Sequence, residues 1–234
     1  MKLSPRLKMV ADMVRPGVVA ADIGTDHAYI PIYLLQNQIC PRAIASDLRQ
    51  GPLENARMSI LAAGLMGEID VRQSDGLDRI GAHEAQDIIL AGMGGNLIVD
   101  LLARTAWLRN SEKRLLLQPM SHAEDVRQYL CDNGFKILFE QACFEDKRVY
   151  IALCACFADA PLPCFSPAYY YIGELPANGT AAAEKHIKNT TGRLTKRISA
   201  LTVADIKPEE AAYLRAIVKE IPNHRRTRCA DQSS

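Results

Sequence analysis

The chain is predicted to fold as an α/β protein, a parallel sheet wrapped by helices and closed at its edge by an antiparallel hairpin, with a helical extension behind it. Three observations predict this. Short apolar runs alternate with helical patterns as far as Asn133, two extended runs then follow with only a turn between them, and everything beyond Asp159 reads as helix or linker. Strands alternating with helices of this length build βαβ units, whose crossovers make neighbouring strands parallel.

The first helix starts at Ser4-Pro5, with serine as N-cap and proline at the first helical position. Leu3, Leu7, Val10 and Val14 recur at helical spacing until Pro16-Gly17 stops the run. Strands are expected at Val18–Ile23, Ala43–Ser46, Ile69–Gln73, Asp87–Ala91 and Arg114–Gln118, and helices at Tyr29–Gln36, Pro52–Ala63, Asn96–Ala106 and Ala123–Asn133. Phe135–Glu140 and Val149–Phe157 then pair across a turn at Glu145-Asp146-Lys147-Arg148 as an edge hairpin. Five parallel strands followed by such a hairpin form the pattern of class I (Rossmann-like) methyltransferases rather than of dinucleotide dehydrogenases, a step that rests partly on fold analogy.

Ala160-Pro161-Leu162-Pro163 and Pro176-Ala177-Asn178-Gly179-Thr180 read as linkers. Helices are expected at Pro167–Leu175, Ala181–Leu201 and Pro208–Ile221, and the seam Ile187, Leu194, Ile198, Leu201 implies an antiparallel, coiled-coil-like helical hairpin. The tail from His224 to Ser234 is expected to be disordered. Residues 1–159 are expected to form a methyltransferase-like domain and residues 160–234 a basic helical C-terminal domain.

With 234 residues, 48% hydrophobic and 24% charged, the chain has enough material for one domain with an appendage. Met1–Val14 carries Lys2, Arg6, Lys8 and Asp12 and has no uninterrupted apolar stretch, so no signal peptide is expected. No apolar run reaches the roughly 18 to 20 residues of a membrane span, and the chain reads as cytoplasmic with no membrane partner. Seven cysteines (Cys40, Cys131, Cys143, Cys154, Cys156, Cys164, Cys229) contain no CxxC and lie mostly in apolar runs, which points to buried free thiols. No His/Cys/Asp cluster has metal-ligand spacing, so no metal is expected. No protein partner is evident.

Net charge is +1, unevenly placed. Between Pro176 and Arg228 eleven Lys or Arg face five Asp or Glu, a local excess of +6, whereas residues 1–175 carry −4. That split suits a polyanion at the C-terminal end, or equally a solvated helical surface.

The chemistry concentrates at strand ends. Asp22-Ile23-Gly24-Thr25-Asp26-His27-Ala28 leads from the first strand into a helix, a turn that aims backbone N–H groups and a helix N-terminus at one spot. Only Gly24 of a G-x-G-x-x-G is present, which counts against a nicotinamide dinucleotide and leaves room for S-adenosylmethionine, a ligand with an amino-acid tail and no pyrophosphate. Asp22 would anchor the loop or an ammonium group. Ser46-Asp47-Leu48 ends the second strand, where an acid either grips ribose hydroxyls or caps a helix. Ser74-Asp75-Gly76-Leu77 is an adenine contact or a plain turn. Ala91-Gly92-Met93-Gly94-Gly95 is a slot for a methyl acceptor, its glycines admitting something close to the backbone, or an empty mobile loop. Gln118-Pro119 ends the fifth strand beside it as a polar contact or a strand stop. His27 and His122 have no visible partners and read as packing or capping residues.

Together, Ala21–Pro31, Gly51-Pro52 with Glu54-Asn55-Ala56, Asp75-Gly76-Leu77, Ala91–Gly95 and Leu117-Gln118-Pro119 resemble the TrmK family of bacterial tRNA (adenine-N1)-methyltransferases, which act on adenosine 22 in the D-arm. The resemblance runs from Leu3 to about Phe157, with five motifs in order; Met120 stands where the family usually has Asn. It implies S-adenosylmethionine as methyl donor, with Asp22, Gly24, Thr25, His27, Asp47, Leu48, Asp75, Gly76, Ala91 and Gly92 at the cofactor. It further implies tRNA as the polyanion. Adenine N1 needs positioning more than a base, which places Asp26, Tyr29, Met93 and Gly94 around the accepting base, with Asp26 holding the N6 amine or offsetting product charge, or else standing as a purely structural, salt-bridged acid. A methyltransferase of another RNA or of a small metabolite, and a non-catalytic RNA-binding protein on the same fold, are the alternatives.

Overall fold

The computed structural model describes residues 1–159, 163, 165–204 and 206–222. Nine α-helices are described, α1 (Pro5–Ala11), α2 (Tyr29–Gln36), α3 (Gln50–Ala62), α4 (Gly95–Arg104), α5 (Ala123–Asp132), α6 (Pro167–Ile172), α7 (Leu175–Asn178), α8 (Ala181–Val203) and α9 (Pro208–Glu220). The strands are β1 (Ala20–Ile23), β2 (Ala43–Asp47), β3 (Ile69–Gln73), β4 (Asp87–Gly94), β5 (Arg114–Ser121), β6 (Phe135–Glu145) and β7 (Arg148–Phe157). They form one sheet in the order β3-β2-β1-β4-β5-β7-β6. β1 to β5 run parallel; β7 is antiparallel to both β5 and β6, placing the predicted hairpin at the sheet's edge.

The central strands are buried on both faces, as parallel strands under helical cover must be: Ile88, Ile89 and Leu90 of β4 and Leu115, Leu116 and Leu117 of β5 are wholly inaccessible. Two cores result. One face of the sheet packs Ile23, Ile88, Leu90, Leu115 and Leu117 with α4 and α5, and the other packs Ile89 and Leu116 with α1, α2 and α3.

Several boundaries differ from expectation. β4 runs on through Ala91–Gly94 against β5, with register shifts between Ala91 and Met93 and between Met93 and Gly94. The glycine-rich stretch is therefore the bulged end of a strand and the start of α4, not a free loop. β6 and β7 extend to a tight turn at Asp146-Lys147, where Asp146 has φ 54°. The expected linker at Pro176–Thr180 is instead α7 followed by Thr180, the N-cap of α8, whose hydroxyl accepts from Ala183 N at 3.2 Å.

The helical region has its own cluster, Ala168, Ile172, Leu194, Leu201, Ala211, Leu214, Ile217 and Ile221, against which Ile187 and Ile198 of the expected seam pack. It also enters the main core through Tyr169, Leu175 and Ala183. Cys40 and Cys154 are buried free thiols, whereas Cys131, Cys143 and Cys156 are half-buried. Cys164, Cys229, most of the first linker and the tail from His224 lie outside the described residues. Among the described residues no His, Cys, Asp and Glu group could hold a metal ion, and no helix is long and apolar enough to cross a membrane.

Candidate active site

Strand order reverses beside β1: β2 and β3 lie to one side, β4 and β5 to the other. The crossovers on the two sides diverge there and leave a crevice at the carboxyl ends of β1 and β4. A cleft of about 340 Å³ opens at that point. It brings together Asp22, Gly24, Thr25, Asp26, His27, Tyr29, Ala91 and Gly92 of the predicted residues, and adds Arg6.

Asp22 is buried at the end of β1. Burial pushes its carboxyl up to about 6, the charge of Asp47 adds to this, and a hydrogen bond from Thr25 opposes it. No cation among the described residues is paired with it. A buried carboxylate with a like charge nearby is costly unless something positive approaches, so the position suits a ligand carrying an ammonium group.

The turn itself is built differently from expectation. The N–H groups of Gly24 and Thr25 both donate to Ser46 O at 2.8 Å, so they complete the β1–β2 connection and are not available to a ligand. Thr25 Oγ1 accepts from Ala28 N at 3.1 Å, and Ala28, at φ 53°, caps α2. Thr25 therefore shapes the turn. Gly24 has φ 76°, and a Cβ there would collide with Met93 Cε, so the two arms of the crevice touch at this residue.

Asp26, His27 and Tyr29 project at the cleft's mouth. The Asp26 side chain is 69% exposed and its Oδ2 lies 3.5 Å from His27 Nε2. The His27 ring stacks on Tyr29 at 5.0 Å between centroids and 9° between planes, which gives the lone histidine a partner the sequence did not show.

Opposite stands the β4 terminus. Gly92 N donates to Gln118 Oε1 at 3.1 Å, and the same oxygen accepts from Arg6 Nη1 at 2.8 Å. Arg6 N in turn donates to Glu145 Oε2 at 2.8 Å, and its guanidinium lies 5.7 Å from the Tyr150 ring centroid. Gln118 is thus a polar support, as one of its two sequence readings had it. Gly94 is the N-cap of α4, with φ −65°. A Cβ on Gly95 would overlap the carbonyl oxygens of Ser121 and His122, so what approaches this glycine is the chain itself.

Residues 3–153 match the family described as "Methyltransferase domain". A Bacillus subtilis (strain 168) protein named tRNA (adenine(22)-N(1))-methyltransferase is 40% identical over 155 residues, 66% of this chain; in sequence the chain spans 65% of that relative's length, just under two thirds. The crystal structure of B. subtilis TrmK, an M1A22 tRNA methyltransferase, superposes with a TM-score of 0.81 at 32% identity, covering 94% of this chain and 96% of that one. The chain belongs to the TrmK family. A Streptococcus pneumoniae structure solved in complex with S-adenosyl-L-methionine matches with a TM-score of 0.77 at 29% identity, over 95% of this chain and 99% of that one.

In this TrmK chain the other predicted cofactor residues sit at the ends of β2 and β3, outside the lining of the cleft. Asp47 is buried and accepts from Arg49 N at 2.8 Å, and the neighbouring Leu48 is 58% exposed, an apolar face beside an acid. Asp75 is engaged by Arg104 of α4, Oδ1 to Nη2 at 2.5 Å, which lowers its carboxyl pKa. Gly76 is a helix-packing position, because a Cβ there would collide with Leu101 of α4.

The C-terminal charge of this TrmK chain is partly spent internally. Arg193 pairs with Glu124 at 2.8 Å, Arg197 and Lys207 with Glu210 at 2.9 and 3.5 Å, and Arg215 Nη2 donates to Thr202 at 2.6 Å. Arg225, Arg226 and Arg228 lie outside the described residues. Arg6 and its neighbour Leu7 line the cleft without having been read from the sequence as site residues: Arg6 looks like any cation in a first helical turn, and its partners lie 112 and 139 residues away.

Proposed function

We propose that this chain transfers a methyl group from S-adenosylmethionine to N1 of an adenosine in tRNA, position 22 of the D-arm, and does so in the cytoplasm. The supporting observation is the buried Asp22, paired with no cation among the described residues, at the switch-point cleft of a chain that aligns with 96% of B. subtilis TrmK. The residues present fit the cofactor: Asp22 suits its ammonium group, Asp47 its ribose hydroxyls and exposed Leu48 an adenine face. When bound, S-adenosylmethionine supplies an electrophilic methyl group on a sulfonium centre.

Adenine N1 carries a free lone pair at neutral pH, so no general base is needed. The protein's work is to take the base out of its stack, hold N1 in line, exclude water and accommodate the positive charge that develops on the ring. The stacked His27 and Tyr29 rings offer a flat surface to the extruded base. Asp26 accepts from its N6 amine or offsets the charge on the product. Ala91 and Gly92 form the facing wall, fixed in place by Gln118 and Arg6, while Met93 packs behind it on Gly24 and Gly94 caps α4.

Nucleoside mass spectrometry of unmodified tRNA incubated with protein and S-adenosylmethionine tests this reading. It should show 1-methyladenosine, absent when position 22 is changed to guanosine. Label from the methyl group appearing in small molecules and not in tRNA would overturn it.

A further inference from the structure

A second cleft, of about 450 Å³, adjoins the first. It lies between the β5–α5 connection, the β6–β7 turn and α8, with Pro119 and Met120 on one side, Lys147 and Arg148 on another, and His186 and Arg193 on a third. Two contacts join it to the active-site cleft. Tyr150 lines the second cleft and lies 5.7 Å from the guanidinium of Arg6, which lines the first. Pro119 directly follows Gln118, whose Oε1 holds the N–H of Gly92.

The lining chemistry is that of a nucleotide site. Rings line it (His122, Tyr150, Tyr171 and His186), the amide of Asn189 offers both donor and acceptor, and cations stand at the rim. Burial, with Arg127 and Arg193 nearby, pushes the His186 imidazole down to about 3, so it presents a neutral ring. Arg193 is tied to Glu124, but Lys147 and Arg148, both exposed, form no ion pair with any described residue. Their volume of space lies within the roughly 300–1,000 Å³ of small-molecule sites, yet the free cations sit on a hairpin tip open to solvent, which suits a phosphate within a polymer.

Taking one base out of a stack leaves its neighbour without a stacking partner, and rings beside the active site restore that contact. We propose that this groove seats the nucleotide adjoining the target adenosine, its phosphate on Lys147 and Arg148 and its base among the Tyr171 and His186 rings. The inference rests on the tRNA reading above and adds the RNA subsite that the reading lacks.

The test compares three variants of the full chain: Lys147→Ala/Arg148→Ala, Asn189→Trp to fill the groove, and Arg42→Ala/Arg57→Ala. The last pair removes the same charge from the residue preceding β2 and from α3, both away from the groove. The first variant should raise KM for tRNA about tenfold and lower the salt dependence of log KM by about 0.7 to 0.9, the contribution of one phosphate. Asn189→Trp should raise KM similarly, the Arg42/Arg57 variant should match wild type, and S-adenosylmethionine affinity should hold within twofold throughout. Wild-type KM in both groove variants, or equal loss in the Arg42/Arg57 variant, overturns the assignment. Should the wild-type chain methylate no tRNA, the broader reading fails instead, and tRNA dissociation constants of the same variants decide the groove separately.

Discussion

Arg127 and Glu140 form a two-pronged ion pair with no solvent exposure on either side chain, Nε to Oε1 at 2.9 Å and Nη2 to Oε2 at 2.7 Å. Arg127 Nη1 also donates to the carbonyls of Tyr170 and Tyr171 at 3.0 and 3.3 Å, and Glu140 Oε1 accepts from Glu174 N at 3.3 Å. Helix α5, strand β6 and the start of the helical region are thereby clamped at one point.

Removing one partner leaves the other charge buried and uncompensated. Arg127→Met is expected to cost about 3–5 kcal/mol in urea unfolding, whereas Arg127→Met/Glu140→Leu should recover most of that loss. A single variant within about 1 kcal/mol of wild type would show that the clamp does not carry the junction.

Asp22 makes stability depend on pH with a definite sign. Its folded value of about 6 exceeds the ordinary 3.8, so between about pH 4 and 6 the native chain keeps a proton that the unfolded chain has released. Stability therefore falls as pH rises through that window, by about 3 kcal/mol in all. Asp22→Asn should flatten this slope and raise the melting temperature near neutral pH in the absence of cofactor. Calorimetry should show at least a tenfold loss of S-adenosylmethionine affinity in the same variant; unchanged affinity would remove Asp22 from the cofactor site.

Asp26 is exposed and stands beside His27, away from the Asp22 carboxylate's buried position. Asp26→Ala is expected to lower methyl transfer at saturating substrates by about 100-fold or more. Cofactor affinity should stay within a few fold. If turnover and cofactor affinity drop together, Asp26 belongs to the cofactor site.

Gly95→Ala forces a methyl group against the Ser121 and His122 carbonyls, which are backbone atoms and cannot swing aside. A loss of about 1–3 kcal/mol is expected by thermal denaturation. Gly51 on α3 has nothing within 4 Å of the same position, and Gly51→Ala should be neutral or slightly stabilising.

The sheet was legible because its central strands carry continuous apolar runs, Ile88-Ile89-Leu90 and Leu115-Leu116-Leu117, and α2 matches residue for residue. The glycine-rich end of β4 was not, since a bulged strand end and a loop have the same composition until the partner strand is known. Likewise Pro176–Thr180 has linker composition, yet Leu175 is buried and Asn178 Nδ2 donates to Glu140 O at 3.0 Å. Asp22, which lines the cleft, was legible because it stands at the end of an apolar strand. Arg6, the Arg127–Glu140 clamp and the second cleft were not, because each is made by residues far apart in the chain whose local surroundings are ordinary.

The bond from Arg6 to Glu145 spans 139 residues and fastens one wall of the switch-point cleft to the tip of the terminal hairpin. A chain emerging from the ribosome makes the turn after β1 early, but that wall cannot lock until the hairpin has been synthesised and added to the sheet. The cleft therefore takes its final shape late in biosynthesis, after the scaffold has closed around it.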